Sequence, residues 1–278
     1  MEESFLKIFT ENNNIIIESP ECFDIALSLD CGQAFRWREI GDNMWCGVVK
    51  NKYLKIEQTK ENNIIFYDTT EEDFNLIWKE YFDLDRNYDL ILNNYDDENL
   101  IIACEKYRGI RILKQDEWEA ICSFIISANN NIPRIKGIIE RLCENFGEKI
   151  GDRYSFPSPE TLSAKSLEEL DVLRAGFRNK YILDAARKIS TREVDIEKIK
   201  LMDFNEAKQE LLKIKGVGEK VAQCSLLYGF GRIEAFPVDV WVKRIVTELY
   251  PDGLPECIKG TEGIAQQYLF HWRRNLGD

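Results

Sequence analysis

Hydrophobic positions recur with two different periods along this chain, and the change falls near residue 70. Before it lie short runs rich in Ile, Val, Phe, Trp and Tyr: Asn14–Glu18, Ala34–Ile40, Met44–Lys50, Tyr53–Glu57 and Ile64–Asp68. Gly41-Asp42-Asn43 and Asn51-Lys52 supply turn residues between the middle runs, so this part predicts a β-meander. From Glu71 onward the spacing turns helical. Helices are expected over Asp116–Ser127 and over Pro133–Phe146, the second with Pro133 near its start and Gly147 just past its end. The capping box Ser166-Leu167-Glu168-Glu169 opens a helix to near Gly176. Arg178–Ser190 follows, and the box-like Asp203-Phe204-Asn205-Glu206 starts a helix to about Ile214. Glu219–Tyr228, Val240–Leu249 and Glu262–Leu276 complete the set. There is no internal repeat and no low-complexity linker. The expected fold class is α+β: a small N-terminal antiparallel β-sheet domain with trailing helices over residues 1–100, then a mostly helical body over 101–278.

Composition narrows the function classes. Of 278 residues, 44% are apolar and 31% charged, an ordinary globular balance. No apolar run approaches the roughly 18 residues of a membrane helix. The acidic start, Met1-Glu2-Glu3, speaks against a secretory leader. Eight cysteines lack any C-x-x-C pair, and Cys122, Cys143 and Cys224 sit inside apolar helical patterns. They read as buried thiols in a reducing compartment, and not as a disulfide, zinc or iron–sulfur framework. A single histidine, His271, excludes a metal site built on several histidines and speaks against a His-dependent triad. Neither a metal nor a cofactor is expected.

The net charge of −12 is unevenly spread. Residues 1–100 hold 22 acids against 9 bases, whereas residues 101–278 hold 27 against 28. Between Val172 and Arg192 stand six bases (Arg174, Arg178, Lys180, Arg187, Lys188, Arg192) and one acid, Asp184. A polyanion would be met by the C-terminal two thirds. A solvated helix face explains the same cluster, so charge permits a nucleic-acid partner without arguing for one.

The stretch richest in chemistry is 204–246. One expected helix runs into Lys215-Gly216-Val217-Gly218, and a second starts at once with Glu219-Lys220. Two glycines one residue apart permit a tight reversal and leave no side chain over the turn. N–H groups at the start of the second helix can then donate to one phosphate. Gly216, Val217 and Gly218 thus fit a helix-hairpin-helix, a grip on the DNA backbone independent of base sequence. A plain αα-hairpin turn fits them about as well. Lys220 lies in the first turn, where the helix dipole disfavours an ammonium, and a free amine is a nucleophile. Its plainer reading is a surface lysine. Asp239, within Phe236-Pro237-Val238-Asp239-Val240, stands at the start of the next helix, where a cap is the plainer reading.

Taken together, the Lys215–Lys220 hairpin and Pro237-Val238-Asp239 resemble the helix-hairpin-helix-GPD superfamily of DNA glycosylases, and more narrowly its 8-oxoguanine DNA glycosylase/lyases. The likeness runs from Cys31-Gly32-Gln33-Ala34-Phe35-Arg36-Trp37 to Gln266–Phe270. It includes Asn129-Asn130-Asn131-Ile132-Pro133-Arg134, Gly176-Phe177-Arg178, Gly216-Val217-Gly218-Glu219-Lys220-Val221-Ala222-Gln223-Cys224 and Pro237-Val238-Asp239-Val240.

The resemblance implies a monomer acting on double-stranded DNA with 8-oxoguanine opposite cytosine, turning the damaged nucleotide out into a pocket. It makes Lys220 the nucleophile that forms a Schiff base with the sugar. Asp239 is implied to stabilise positive charge on the sugar as the base departs. Gly32 would accept the N–H that oxidation adds to the five-membered ring, Cys224 and Phe270 would sandwich the base, and Gln266 would read its pairing edge. Gln266 and Phe270, four apart, share a helix face. Asn129 and Arg134 would fill the vacated stack and read the cytosine, with Phe177 wedged beside them and Arg178 nearby. Phe177 stands where the vertebrate pattern has Tyr. Trp241 stands where it has His, beside the lesion phosphate. Without the resemblance, core packing would be the preferred reading of Cys224 and Phe270.

Two other readings stay open. A sister glycosylase for an alkylated base would generally lack the hairpin lysine, and one for an oxidised pyrimidine would usually carry a four-cysteine cluster. A non-catalytic helix-hairpin-helix module would need only the glycines.

Overall fold

The computed structural model describes residues 6–276. Strands β1 (Ile8–Glu11), β2 (Asn14–Ile17), β3 (Arg38–Gly41), β4 (Met44–Val49), β5 (Lys52–Gln58) and β6 (Ile64–Tyr67) form one sheet in the order β1-β2-β6-β5-β4-β3. The expected meander holds for β3 to β6 only. β2 pairs with β6, and the unexpected β1 extends the edge. The register explains this closure: Ile15 faces Phe66 and Ile17 faces Ile64, all fully or nearly fully buried, so pairing continues one apolar face. Two-residue turns with left-handed backbones, Asn12-Asn13 and Lys50-Asn51, join β1 to β2 and β4 to β5.

The strand expected over Ala34–Ile40 shrinks to Arg38–Gly41. An unforeseen helix, Ile25–Asp30, precedes it, capped by Asp24, which accepts from Leu27 N–H at 2.7 Å. The chain then runs as a buried loop pinned by Gln33. Its amide donates to the carbonyls of Ser28 and Arg111, each at 2.8 Å, and accepts from Leu113 N–H at 3.0 Å. Side-chain bonds here replace the ladder that a strand would have used.

Helices Glu117–Ser127, Ile132–Phe146, Asn179–Ser190, Phe204–Leu212, Glu219–Tyr228, Val240–Leu249 and Glu262–Arg274 lie where the helical period put them. The helix opened by Ser166 ends at Leu170, well before Gly176. A 3-10 turn, Asp171–Leu173, and a left-handed Arg174 stop it.

The chain groups into two compact units, one of residues 6–47, 54–114 and 238–276, the other of 48–53 and 115–237. This division differs from the expected boundary at residue 100, because the last helices join the sheet's unit. Tyr250 Oη donates to Asp97 at 2.6 Å, Tyr268 Oη to the Ile110 carbonyl at 2.9 Å, and Tyr95 Oη to Thr261 Oγ1 at 3.0 Å. The first unit's core gathers Phe23, Phe66, Phe74, Trp78 and Phe82 on the sheet. The second is built around Glu117–Ser127, whose residues 120–126 are all buried, with Phe124 stacked on Tyr228 of Glu219–Tyr228 at 5.2 Å. The eight cysteines are free thiols, seven of them buried. No helix among the described residues is long and apolar enough to cross a membrane.

Candidate active site

The hairpin turn in the second unit explains its two glycines differently. Gly216 has φ +85°, and a Cβ there would stand 2.4 Å from the Tyr181 ring. Only glycine fits both the dihedral and the approach. Gly218 has an ordinary φ of −98° and nothing within 4 Å of where a Cβ would be. Its bareness leaves the start of Glu219–Tyr228 open, with the first N–H groups of that helix free of intrahelical partners. Val217, between them, is buried and anchors the turn. The helix Asn179–Ser190 braces the hairpin: Asp184 accepts from Lys215 N–H at 2.8 Å, and Lys188 donates to the Lys213 carbonyl at 2.5 Å. Glu219, the one carboxylate at the helix start, is tied to Lys208 at 2.9 Å, which holds it below the usual carboxylate range.

Lys220 follows in the first turn, half-buried. Its Nζ lies 3.4 Å from Ser127 Oγ and 5.4 Å from the centre of the Phe124 ring. The stem thus runs over an aromatic floor and the amine is held at a defined point. Cys224 is one turn further along the same face and buried. Gln223 accepts from Phe236 N–H at 2.8 Å and so fixes the approach to Pro237.

Three consecutive asparagines after Ser127 do three different things. Asn131 caps the next helix by accepting from Arg134 N–H at 3.0 Å. Asn130 donates to the Ile126 carbonyl at 3.1 Å and closes the preceding helix. Asn129, with φ +50°, is left exposed, as is Arg134. Phe177 is 57% exposed, far beyond what a core aromatic shows.

Arg178 differs from the expectation of a DNA-facing side chain. It is buried, and its guanidinium donates to the carbonyls of Ala128 (2.6 Å) and Asn129 (2.8 Å). Burial, and then the nearby charge of Arg134, lower its pKa. The cost of burying this cation is offset by charge-assisted bonds to carbonyls. A continuous line of contacts results: Gly216 on Tyr181, Tyr181 edge-on to Phe177 at 5.9 Å, Phe177 on Arg178 at 4.6 Å, and Arg178 on the Asn129 turn.

The other expected residues lie in the first unit. Gly32, with φ +93°, sits in the loop that Gln33 pins. The preceding carbonyl, of Cys31, accepts from Gln267 at 3.5 Å, which ties this loop to the helix Glu262–Arg274. Burial pushes the Cys31 thiol up to about 12, so it stays protonated. Gln266 is 5% exposed, yet its buried Oε1 has no partner. An unpaired buried amide oxygen is costly, so it marks a place where a donor belongs. Phe270, one turn on, is half-buried.

Asp239 caps Val240–Leu249. Its Oδ1 accepts both Trp241 N–H (2.9 Å) and Val242 N–H (2.8 Å). The capping reading is therefore correct for one oxygen. Oδ2 takes no part in it. Trp241 is half-buried under the Arg244 guanidinium, 5.2 Å from its ring. Among the described residues, no group of three or more His, Cys, Asp or Glu could hold a metal.

Sequence reasoning missed Ser127, Gln267 and the structural task of Arg178. The first two reach partners 93 and 236 positions away in the chain, and no local pattern signals that.

Two family models match the chain in succession: the 8-oxoguanine DNA glycosylase N-terminal domain over residues 15–121, and the HhH-GPD superfamily base excision DNA repair protein over residues 122–254. A probable N-glycosylase/DNA lyase of Methanothermobacter thermautotrophicus is 32% identical, over 92% of this chain and 95% of the relative. An N-glycosylase/DNA lyase of Saccharomyces cerevisiae is 34% identical, over 81% and 68%. Among solved structures, the Clostridium acetobutylicum 8-oxoguanine glycosylase/lyase bound to double-stranded DNA with cytosine opposite 8-oxoguanine superposes with a TM-score of 0.91. It is 35% identical and covers 98% of this chain and 99% of its own.

Proposed function

We infer that this chain, which belongs to the 8-oxoguanine DNA glycosylase family, excises 8-oxoguanine from double-stranded DNA and then cleaves the strand as an AP lyase. The observation that carries the reading is the amine of Lys220, held in the first turn behind a bare hairpin, against Ser127 and Phe124. A DNA-binding module alone has no use for a half-buried lysine at that point.

The chemistry follows. Gly218 and the N–H groups after it take a backbone phosphate, and the flipped nucleotide presents its sugar to Lys220. Nζ attacks C1′, and the glycosidic bond breaks with its electron pair leaving on the base. The bound amine sheds a proton as the sugar ring opens to a Schiff base. Loss of a C2′ proton then expels the 3′ phosphate, and water releases the lysine. Asp239, through Oδ2, stabilises the positive charge on the sugar while the base departs. Base choice rests on two acceptors. The Gly32 carbonyl takes the N–H that only the oxidised ring carries, and the orphaned Gln266 Oε1 takes donors of the pairing edge. Undamaged guanine leaves the first acceptor facing another acceptor, which a dry pocket penalises. Phe270 supplies a face on which the base stacks.

Opposite the lesion, Asn129, Arg134 and the exposed Phe177 read the cytosine and fill the gap, with Arg178 supporting them from beneath. The apolar Phe177 makes this reading one of shape more than of hydrogen bonds. Trp241, whose N–H is taken by Asp239, meets the lesion phosphate by bulk and not by a polar contact. The enzyme acts as a monomer, in the cytoplasm of a prokaryote or the nucleus of a eukaryote.

The test is borohydride trapping on an oligonucleotide with one 8-oxoguanine. Wild type gives a covalent adduct, whereas Lys220→Gln binds the same DNA and gives none. Adduct at the wild-type level in that variant would overturn the assignment.

A further inference from the structure

Resting on Lys220 as the nucleophile, we propose that Ser127 is a positioning residue that aims its amine. Ser127 is the last residue of the helix Glu117–Ser127 and is half-buried. Its hydroxyl proton is committed: Oγ donates to the Phe124 carbonyl, one turn back, at 2.9 Å. Only lone pairs are left to meet Lys220 Nζ, 3.4 Å away. Ser127 therefore accepts from the amine and never donates to its lone pair. A donor here would block the electron pair that must attack C1′; an acceptor holds one N–H and leaves that pair pointing elsewhere.

The support around this contact is rigid. Phe124 is 2% exposed, and its ring lies under Nζ at 5.4 Å. Tyr228, at the end of the same helix as Lys220, stacks on the Phe124 ring, with ring centres 5.2 Å apart. A flexible four-carbon stem loses rotamer freedom when it is used. The Phe124 ring takes up the stem and Ser127 Oγ takes up the head, so the nucleophile is placed before the DNA arrives. Ser127 also lies two residues before Asn129, so one short segment aims the nucleophile and presents the opposite-strand reader.

The experiment compares wild type, Ser127→Ala and Ser127→Thr in single-turnover borohydride trapping, on 8-oxoguanine DNA and on DNA with a pre-formed abasic site. Affinity for both DNAs and melting temperature are measured alongside. Loss of one neutral hydrogen bond to the reacting group predicts a trapping rate about tenfold lower for Ser127→Ala. The loss should be equal on the two substrates, since both reactions pass through Nζ, with affinity and melting temperature unchanged. Ser127→Thr keeps the hydroxyl and should restore most of the rate. Wild-type trapping by Ser127→Ala overturns the proposal. So does a loss confined to 8-oxoguanine DNA, which would place Ser127 in base recognition. A loss that Thr does not restore, or one that follows the melting temperature, would assign the effect to packing and overturn it too. Absence of any adduct in wild type would instead refute the glycosylase/lyase reading itself.

Discussion

Asp239 tests whether a helix cap also does chemistry, because only one of its two oxygens accepts the capping bonds. Both capping bonds, from Trp241 and Val242, end on Oδ1. Asp239→Asn can keep them, since Asn and Asp cap about equally well. What the change removes is the charge. At a helix start that charge contributes about 0.3–1 kcal/mol to stability, which in a protein of this size is a fall in melting temperature of roughly 1–4 °C. The same charge facing a departing base should contribute far more, because it acts on a cation that exists only at the transition state. The excision rate should fall on the order of 10², equivalent to about 2.7 kcal/mol of barrier. Asp239→Ala adds the loss of the cap, about 1 kcal/mol more in stability, with a similar rate. The assay is single-turnover release of 8-oxoguanine with enzyme in excess, read beside a thermal melt of each variant. If Asn leaves the rate unchanged, or if the rate loss of each variant simply follows its melting temperature, Asp239 is a cap and nothing else.

The two hairpin glycines should part company. Gly216→Ala must force a left-handed alanine into the Tyr181 ring, a cost of roughly 2–4 kcal/mol from dihedral strain and overpacking together, measurable by denaturant unfolding. Gly218→Ala should leave stability within about 0.5 kcal/mol of wild type but weaken DNA binding, because its methyl group intrudes where the phosphate sits. A stable Gly216→Ala would refute the packing argument. Phe270→Ala should lower affinity for 8-oxoguanine DNA about 10- to 100-fold, the worth of one stacked base, and leave cleavage at a pre-formed abasic site nearly intact. If both activities fall together, Phe270 supports the fold and not the base.

Much of this protein is local and therefore legible. The helices are announced by their own ends: Asp116, Asn131, Ser166 and Asp203 each cap through a side-chain oxygen. A cap needs only residues three positions apart, which the sequence displays directly. The hairpin is equally local, since its glycines and first-turn lysine are contiguous. The strand positions were mostly visible too. Their order was not, because the pairing of β2 with β6 depends on which apolar faces match across fifty residues. The helix Ile25–Asp30 was hidden by its six-residue length, too short for a period to declare itself. The buried loop around Gly32 was hidden because Gln33 bonds to Arg111 and Leu113, far along the chain.

The site divides in the same way. Residue types at fixed spacing singled out Lys220 and Asp239, and only the resemblance to the glycosylase family singled out Gln266 and Phe270. Tertiary structure alone decided what each atom is free to do: that Asp239 caps with one oxygen and spares the other, and that Gln266 keeps a buried oxygen without a partner. It alone turned Arg178 inward to carry the Asn129 turn, and brought Ser127 to the lysine amine. The physical reason is range. Caps and tight turns are settled within a few residues by backbone sterics and short hydrogen bonds. Burial, and the accounting of every buried donor and acceptor, depends on neighbours that only the folded chain brings within 3–4 Å.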